Sequence, residues 1–458
     1  MFPIPSFPRR LLGIALLMLA PLLPELKAQA QEEHPKELSE SVSTALGNLK
    51  GLVDAKNYKE IIHLLDTLIP TVGAESYDLA VLSQIKGQVL LTDSQYEPAI
   101  APMEKSLSLG DKYGYFDEST TLSGLYTLVQ IYYQQAADLK DPPRQKELYE
   151  KACGYFERWL KESPKTTAEN ELFYASIRYN EAILDPAHPD LEKVRLALAA
   201  VEKSLSLTIK VNTQAYVLML AAQQQLGDNQ KTAELFEILA QREPGNETYW
   251  QQLLATYYAL AGSSKKDADI RRYNLRSLIT YERAQAHGLL NTPRDNFSIV
   301  ALYFTLQQFD RASAFLAKGL KDKSIEGSRR NWELLASAYQ QQHEEERAAA
   351  TLLEAARLFP TEGQLEFNYA QLRYSQEKTA EAYAHLETAI TKGNLDKPGP
   401  AFVFIAFVAF ELKRLDDAAR WADAATDKPD VKKEDLARLK RAIKEAIRER
   451  EALKTSSI

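Results

Sequence analysis

Between residues 329 and 360, apolar side chains return every three or four positions: Trp332, Leu335, Ala336 and Tyr339, then, past a polar break, Ala348, Leu352 and Ala355, closed by Pro360. That spacing is one face of an α-helix, so the segment predicts two amphipathic helices joined by a short turn, with proline ending the second. The arrangement recurs downstream as Ala370, Ala382, Leu386 and Ala389, and again as Phe402, Ile405, Ala406, Ala418 and Ala425. Upstream it is carried by Val300, Tyr303, Phe309, Ala312, Leu316 and Gly319, by Ala221, Ala233 and Ala240, and by Gly87, Tyr96, Ala99 and Ser106. Ala336 and Ala370 are 34 residues apart, as are Ala221 and Ala255. No stretch shows the period-two alternation of a half-buried strand.

The recurring small residues have a steric reading: helices approach closely there, and a bulky side chain would hold them apart. Large apolar residues fill the remaining space. Three stretches are less regular and read as inserts in loops: Asp141-Pro142-Pro143, Asp185-Pro186-Ala187-His188-Pro189 and Gly262-Ser263-Ser264-Lys265-Lys266. The first pair, about 37–72, is marked chiefly by Tyr58. From Val431 to about Leu453 the pattern predicts one charged helix whose narrow stripe, Leu436, Leu439, Ile443 and Ile447, caps the last pair.

Two-helix units of this length and with these small positions resemble tetratricopeptide repeats (TPR), over most of residues 37–430. The resemblance implies an all-α right-handed superhelix, an α-solenoid of about ten helix pairs with a C-terminal capping helix. The expected organisation is a secretory signal at 1–30, a solenoid at 31–430 (irregular over 119–290, regular over 291–430) and a cap and tail at 431–458. Phe156-Glu157-Arg158-Trp159-Leu160, the helix ends Ala284-x-x-x-Gly288-Leu289-Leu290 and Ala389-x-x-x-Gly393-Asn394-Leu395, and Lys318-Gly319-Leu320-Lys321 also resemble the periplasmic TPR proteins found with TonB–ExbB–ExbD systems. That narrower resemblance implies a non-enzymatic accessory to TonB-dependent transport with envelope proteins of the TonB/ExbB/ExbD type as partners.

The N-terminus supports export. Arg9 and Arg10 precede an apolar run, Leu11 to Leu23, and Ala28-Gln29-Ala30 gives a small-x-small cleavage pattern. The run is shorter than the ~20 residues a spanning helix needs, so no transmembrane segment is expected after cleavage, and the expected location is the periplasm of a Gram-negative bacterium. Net charge is −7 with both signs interleaved, which argues against nucleic-acid partners because they require a cationic field. Cys153 is alone, which excludes an intramolecular disulfide; its small-residue helical context reads as core.

Candidate chemistry is sparse. His34, His63, His188, His287, His343 and His385 form no metal-ligand spacing, and no catalytic motif or cofactor loop occurs. His63, His287 and His385 read as partly exposed helix residues. Glu344-Glu345-Glu346 reads as a solvated carboxylate run at a turn, with ordinary pKa values. The chain is therefore expected not to be an enzyme and to need no metal or cofactor.

The resemblance places first-helix positions on the concave face. A Lys/Asn carboxylate clamp is absent there: Glu333, Phe367 and Val403, with Ser337, Gln371 and Phe407, occupy the equivalent places. Phe297, Phe304, Phe367, Tyr374, Phe407 and Phe410 map inward instead, with Gln340, Gln341 and Gln371 among them. They are candidate anchors and backbone-binding amides for a peptide; the alternative is rings buried against each other and the cap. As functions, a specific interaction scaffold stands against a chaperone-like holder of outer-membrane or secreted clients. A sugar-stacking role for Tyr132, Tyr133, Trp250, Tyr257 and Tyr258 competes with plain core packing.

Overall fold

The computed structural model describes residues 36–47, 49–428 and 430–456. The expected signal peptide and His34 lie outside them. Among the described residues every regular element is helical. Contacts divide the chain into two units, Met1–Arg242 and Glu243–Ile458.

The first unit opens with the short helices α1 (Glu40–Leu46) and α2 (Leu49–Asp54), then α3 (Tyr58–Leu68) and a 3-10 turn at Ile69–Thr71. Four longer pairs follow: α4 (Tyr77–Thr92) with α5 (Tyr96–Tyr113), α6 (Glu118–Asp138) with α7 (Pro142–Glu162), α8 (Ala168–Ala182) with α9 (Leu191–Ser206), and α10 (Thr213–Leu226) with α11 (Asn229–Arg242). The second unit pairs α12 (Glu247–Ser263) with α13 (Asp267–Ala286), α14 (Pro293–Thr305) with α15 (Phe309–Asp322), α16 (Arg329–Gln341) with α17 (Glu345–Leu358), α18 (Gly363–Ser375) with α19 (Thr379–Lys392), and α20 (Pro398–Glu411) with α21 (Leu415–Ala424). The last helix, α22 (Lys433–Ser456), packs on α21 and α20. Each unit is a stack of helix hairpins, the α-solenoid architecture.

The small residues do what their spacing predicts. Ala336, Ala348, Ala355, Ala370, Ala382, Ala389, Ala406, Ala418 and Ala425 are all buried. A Cβ on Gly87 would stand 2.5 Å from the Met103 side chain, and one on Gly319 2.5 Å from Ile325. In α10 the register differs: Ala221 is half-buried and Ala222 turns into the core.

The turn before α3 and those inside the α4–α5, α10–α11, α14–α15, α16–α17, α18–α19 and α20–α21 pairs share one geometry. Lys56, Ser94, Gln307, His343, Glu377 and Lys413 all have positive φ, as does Gly227. Around each, the next residue's N–H reaches back to close the first helix: Glu344 N donates to Tyr339 O at 2.9 Å, Lys378 N to Arg373 O at 3.0 Å and Arg414 N to Ala409 O at 2.9 Å. This left-handed cap satisfies carbonyls that would otherwise be orphaned at a helix end.

Two expected loops are helix instead. Pro142 and Pro143 begin α7, where a missing N–H costs nothing. Gly262 and Ser263 end α12, so only 264–266 link it to α13, and the extra residues lengthen helices rather than a loop. The Asp185–Pro189 segment is a true break between α8 and α9. Glu345 and Glu346 of the carboxylate run are exposed, as expected, but Glu346 does not keep the ordinary carboxylate pKa expected of it. Glu346 accepts from Arg373 (2.8 Å) and Lys378 (2.8 Å), which hold its carboxyl down to about 2, and Glu345 accepts from Gln376 at 3.0 Å. These bonds tie α17 to the next pair.

Candidate functional site

The site lies within the second unit, where α18, α20 and α22 meet. Helix α20 is apolar on every side, with no polar residue between Pro400 and Phe410. Ala401 is buried, and Ile405, Ala406, Val408 and Ala409 are buried in the core shared with Tyr383, Leu386 and Ala418. Phe402, Val403, Phe404 and Phe410 are left half-buried, and Phe407 is 38% exposed. Helix α22 contributes Leu436 and Ile443 to the same core, with Leu439 and Ile447 packed against it.

Phe404 gathers the rings. Phe367 meets it edge-on at 6.0 Å and Tyr374 at 5.2 Å, and Tyr374 also meets Phe407 at 6.2 Å. Edge-to-face contact is the arrangement ring quadrupoles favour. Burial raises the Tyr374 phenol, helped by its hydrogen bond to Glu411. Beside this chain of rings lies a groove of about 640 Å³, floored by Pro400, Val403, Phe404 and Phe407 of α20, Val431 and Leu439. Its rim carries Lys397, Lys432, Asp430 and Asp435. Asp430 accepts from Gly399 N at 2.8 Å, a bond that needs glycine because a Cβ there would stand 2.4 Å from the same oxygen.

The structure divides the candidate residues. Phe367, Tyr374, Phe407 and Phe410 share one apolar surface with the groove or the core behind it, where Lys413 stands 5.8 Å over the Phe410 ring. Phe297 and Phe304 belong elsewhere: Arg330 covers Phe297 at 5.9 Å, and Phe304 meets Phe309 edge-on at 5.6 Å in the core around α16. Gln340, Gln341 and Gln371 are all exposed, and none of the three makes a side-chain hydrogen bond among the described residues. Phe404 was not singled out in the sequence, because an all-apolar helix has no periodicity to say which side faces out.

Glu333 sits between α16 and α18 in a polar network. Arg329 pairs with Glu362 (3.2 Å) and Asp396 (2.9 Å), Asn368 donates to Glu333 at 3.2 Å, and Gln364 donates to Asn368 at 2.8 Å. Burial raises the Glu333 carboxyl against the opposing pull of Arg329. Of the aromatics weighed for sugar stacking, Tyr132, Trp250 and Tyr257 are buried, Tyr133 is half-buried and Tyr258 is exposed. Among the described residues no group of three His, Cys, Asp or Glu side chains is placed to hold a metal.

No protein-family profile matches the chain, and neither does any curated protein. Solved structures do. One is TTC0263, a thermophilic TPR protein of Thermus thermophilus, at 20% identity over 45% of this chain and 98% of that one, with a TM-score of 0.23. Another is a double mutant of MamA RS-1 ArsTM, at 13% identity over 39% of this chain and 93% of that one, with a TM-score of 0.27. Likeness at that level does not bear on function; the helix-pair architecture rests on the coordinates themselves.

Proposed function

We propose that the chain is a protein–protein interaction scaffold, exported to the periplasm of a Gram-negative bacterium, whose second unit grips a segment of its partner. The observation that carries this reading is the ring chain of Phe367, Tyr374, Phe404 and Phe407 beside an open groove of about 640 Å³. Its volume is in the range of a ligand pocket, and exposed aromatics rimmed by polar groups are the usual anchors of an interface. Among the described residues no helix is long and apolar enough to cross a membrane.

The location rests on the N-terminal export pattern, and an accessory role in TonB-dependent transport rests on the motif resemblance. Affinity capture and cross-linking from the envelope fraction test both. One defined partner of the TonB/ExbB/ExbD type, lost with Phe367→Ser/Phe407→Ser while the helical circular dichroism is intact, is the expected result. Broad capture of many unfolded clients would favour the chaperone-like alternative. Undiminished capture by the folded double variant would retire the groove.

A further inference from the structure

We infer that the groove between α20 and α22 takes an internal peptide segment that is both acidic and apolar, with Lys397 and Lys432 pairing its carboxylates and Val403, Phe404, Phe407 and Leu439 holding its apolar side chains. The inference rests on the protein-binding reading above and adds the charge of the ligand.

Although the rim carries two ammoniums and two carboxylates, their situations differ. Asp430 already accepts the Gly399 N–H, and Asp435 accepts from Arg438 at 2.5 Å within the first turn of α22. A carboxylate in that turn is also favoured by the helix dipole. The Lys397 and Lys432 ammoniums have no partner among the described residues. Both stand where a cation is disfavoured: Lys397 is the N-cap of α20, without a side-chain cap bond, and Lys432 immediately precedes α22. The positive end of each dipole opposes them, and an anion between them would relieve both.

The two lysines belong to different segments of the chain. They therefore suit carboxylates spaced along a peptide better than the single carboxylate of a chain end. The floor between them is apolar and partly open, with Phe407 38% exposed, so part of the bound segment keeps its contact with water. Lysine stems can lie over such a floor while their heads stay solvated.

The test is selection of blocked decapeptides from a random displayed library by the full chain, repeated with Lys397→Glu/Lys432→Glu and with Phe407→Ser. Circular dichroism checks the fold of each variant. The expected pool is enriched in Asp or Glu next to large apolar residues. The selected peptides bind roughly tenfold more weakly to the charge-reversed variant, and more weakly in 0.5 M salt, where surface charges are screened. A neutral or basic pool, no enrichment, or acidic peptides indifferent to the lysine reversal would overturn the inference. So would saturable binding of laurate with no acidic peptide selected, or self-association through this face that Phe407→Ser abolishes. Peptides lost with Phe407→Ser but not with the lysine reversal would overturn the charge assignment alone. Peptides indifferent to Phe407→Ser would overturn the protein-binding reading of the groove itself.

Discussion

Gly363 begins α18, the helix that carries Phe367, Gln371 and Tyr374, and it begins it against backbone. A Cβ added there would stand 2.2 Å from Ala389 O and 2.3 Å from Gly393 O. Carbon–oxygen contacts close to about 3.3 Å at best, so the overlap is roughly 1 Å against atoms that no rotamer can move. Gly363→Ala must lift the start of α18, which breaks the 2.8 Å bond from Gly363 N to Gly393 O. Overpacking costs ~1–3 kcal/mol, and the unpaired buried N–H costs ~1–3 kcal/mol more. Replacing glycine by alanine in a helix returns about 0.5–1 kcal/mol, which leaves a net loss of about 1–5.5 kcal/mol. Gly154 is the control. It lies inside α7 with nothing within 4 Å of an added Cβ, so Gly154→Ala should stabilise by ~0.5–1 kcal/mol. Helix stacks do not always unfold in one step, so urea midpoints are compared by circular dichroism and by tryptophan fluorescence, with Trp332 and Trp421 reporting on the second unit. A Gly363→Ala midpoint equal to that of the wild type, or a larger loss for Gly154→Ala, would refute the steric reasoning. The same variant should also weaken any partner that Phe367 helps to hold.

Further outcomes follow from the same coordinates. Glu377 has φ +64° in the turn between α18 and α19; glycine relieves that strain, so Glu377→Gly should raise the thermal midpoint by the equivalent of about 0.5–1 kcal/mol, and a lower midpoint contradicts it. Burial pushes the Cys153 thiol well above its ordinary value, outweighing nearby Arg178. A thiol-disulfide reagent at pH 8 should therefore label it only in denaturant, and rapid native labelling would show the site is open. Burial works to raise the Glu366 carboxyl, but hydrogen bonds from His385 (2.6 Å) and Lys392 (2.8 Å) win and hold it low. Its folded value thus lies below its unfolded one, so its contribution is complete above about pH 4.3 and is lost as pH falls through the folded value. Glu366→Gln should cost about 1–3 kcal/mol at neutral pH, a gap that narrows toward pH 3 in parallel denaturation curves. A gap constant with pH would show the pair does not titrate as described.

The helix pairs were legible because their cause is steric and local. A buried alanine such as Ala348 or Ala382 has no substitute where two backbones approach, so its position survives as spacing in the sequence. The insert at 185–189 was legible as a loop, but the other two were not, because glycine and serine at 262–263 and prolines at 142–143 are tolerated at helix ends as readily as in loops. The same limit applies to the site. Phe367, Tyr374 and Phe407 were found by their place in the repeat, and Phe404, which joins them, was missed because α20 is apolar all round. Lys397 and Lys432 lie just before helices, and only the folded chain brings them to one rim.

The left-handed residue that closes the first helix of most pairs has a bearing on how such a chain changes length. His343 and Glu377 occupy equivalent places 34 residues apart, with closely similar φ of 58° and 64°. A cut and rejoining between two such points removes or duplicates a whole hairpin and leaves the flanking backbone with a conformation it already adopts. Insertions of another size have to be absorbed by longer helices, as between residues 247 and 286, or by a longer break, as at 185–189. Growth by complete modules is thus the course of least distortion for this backbone.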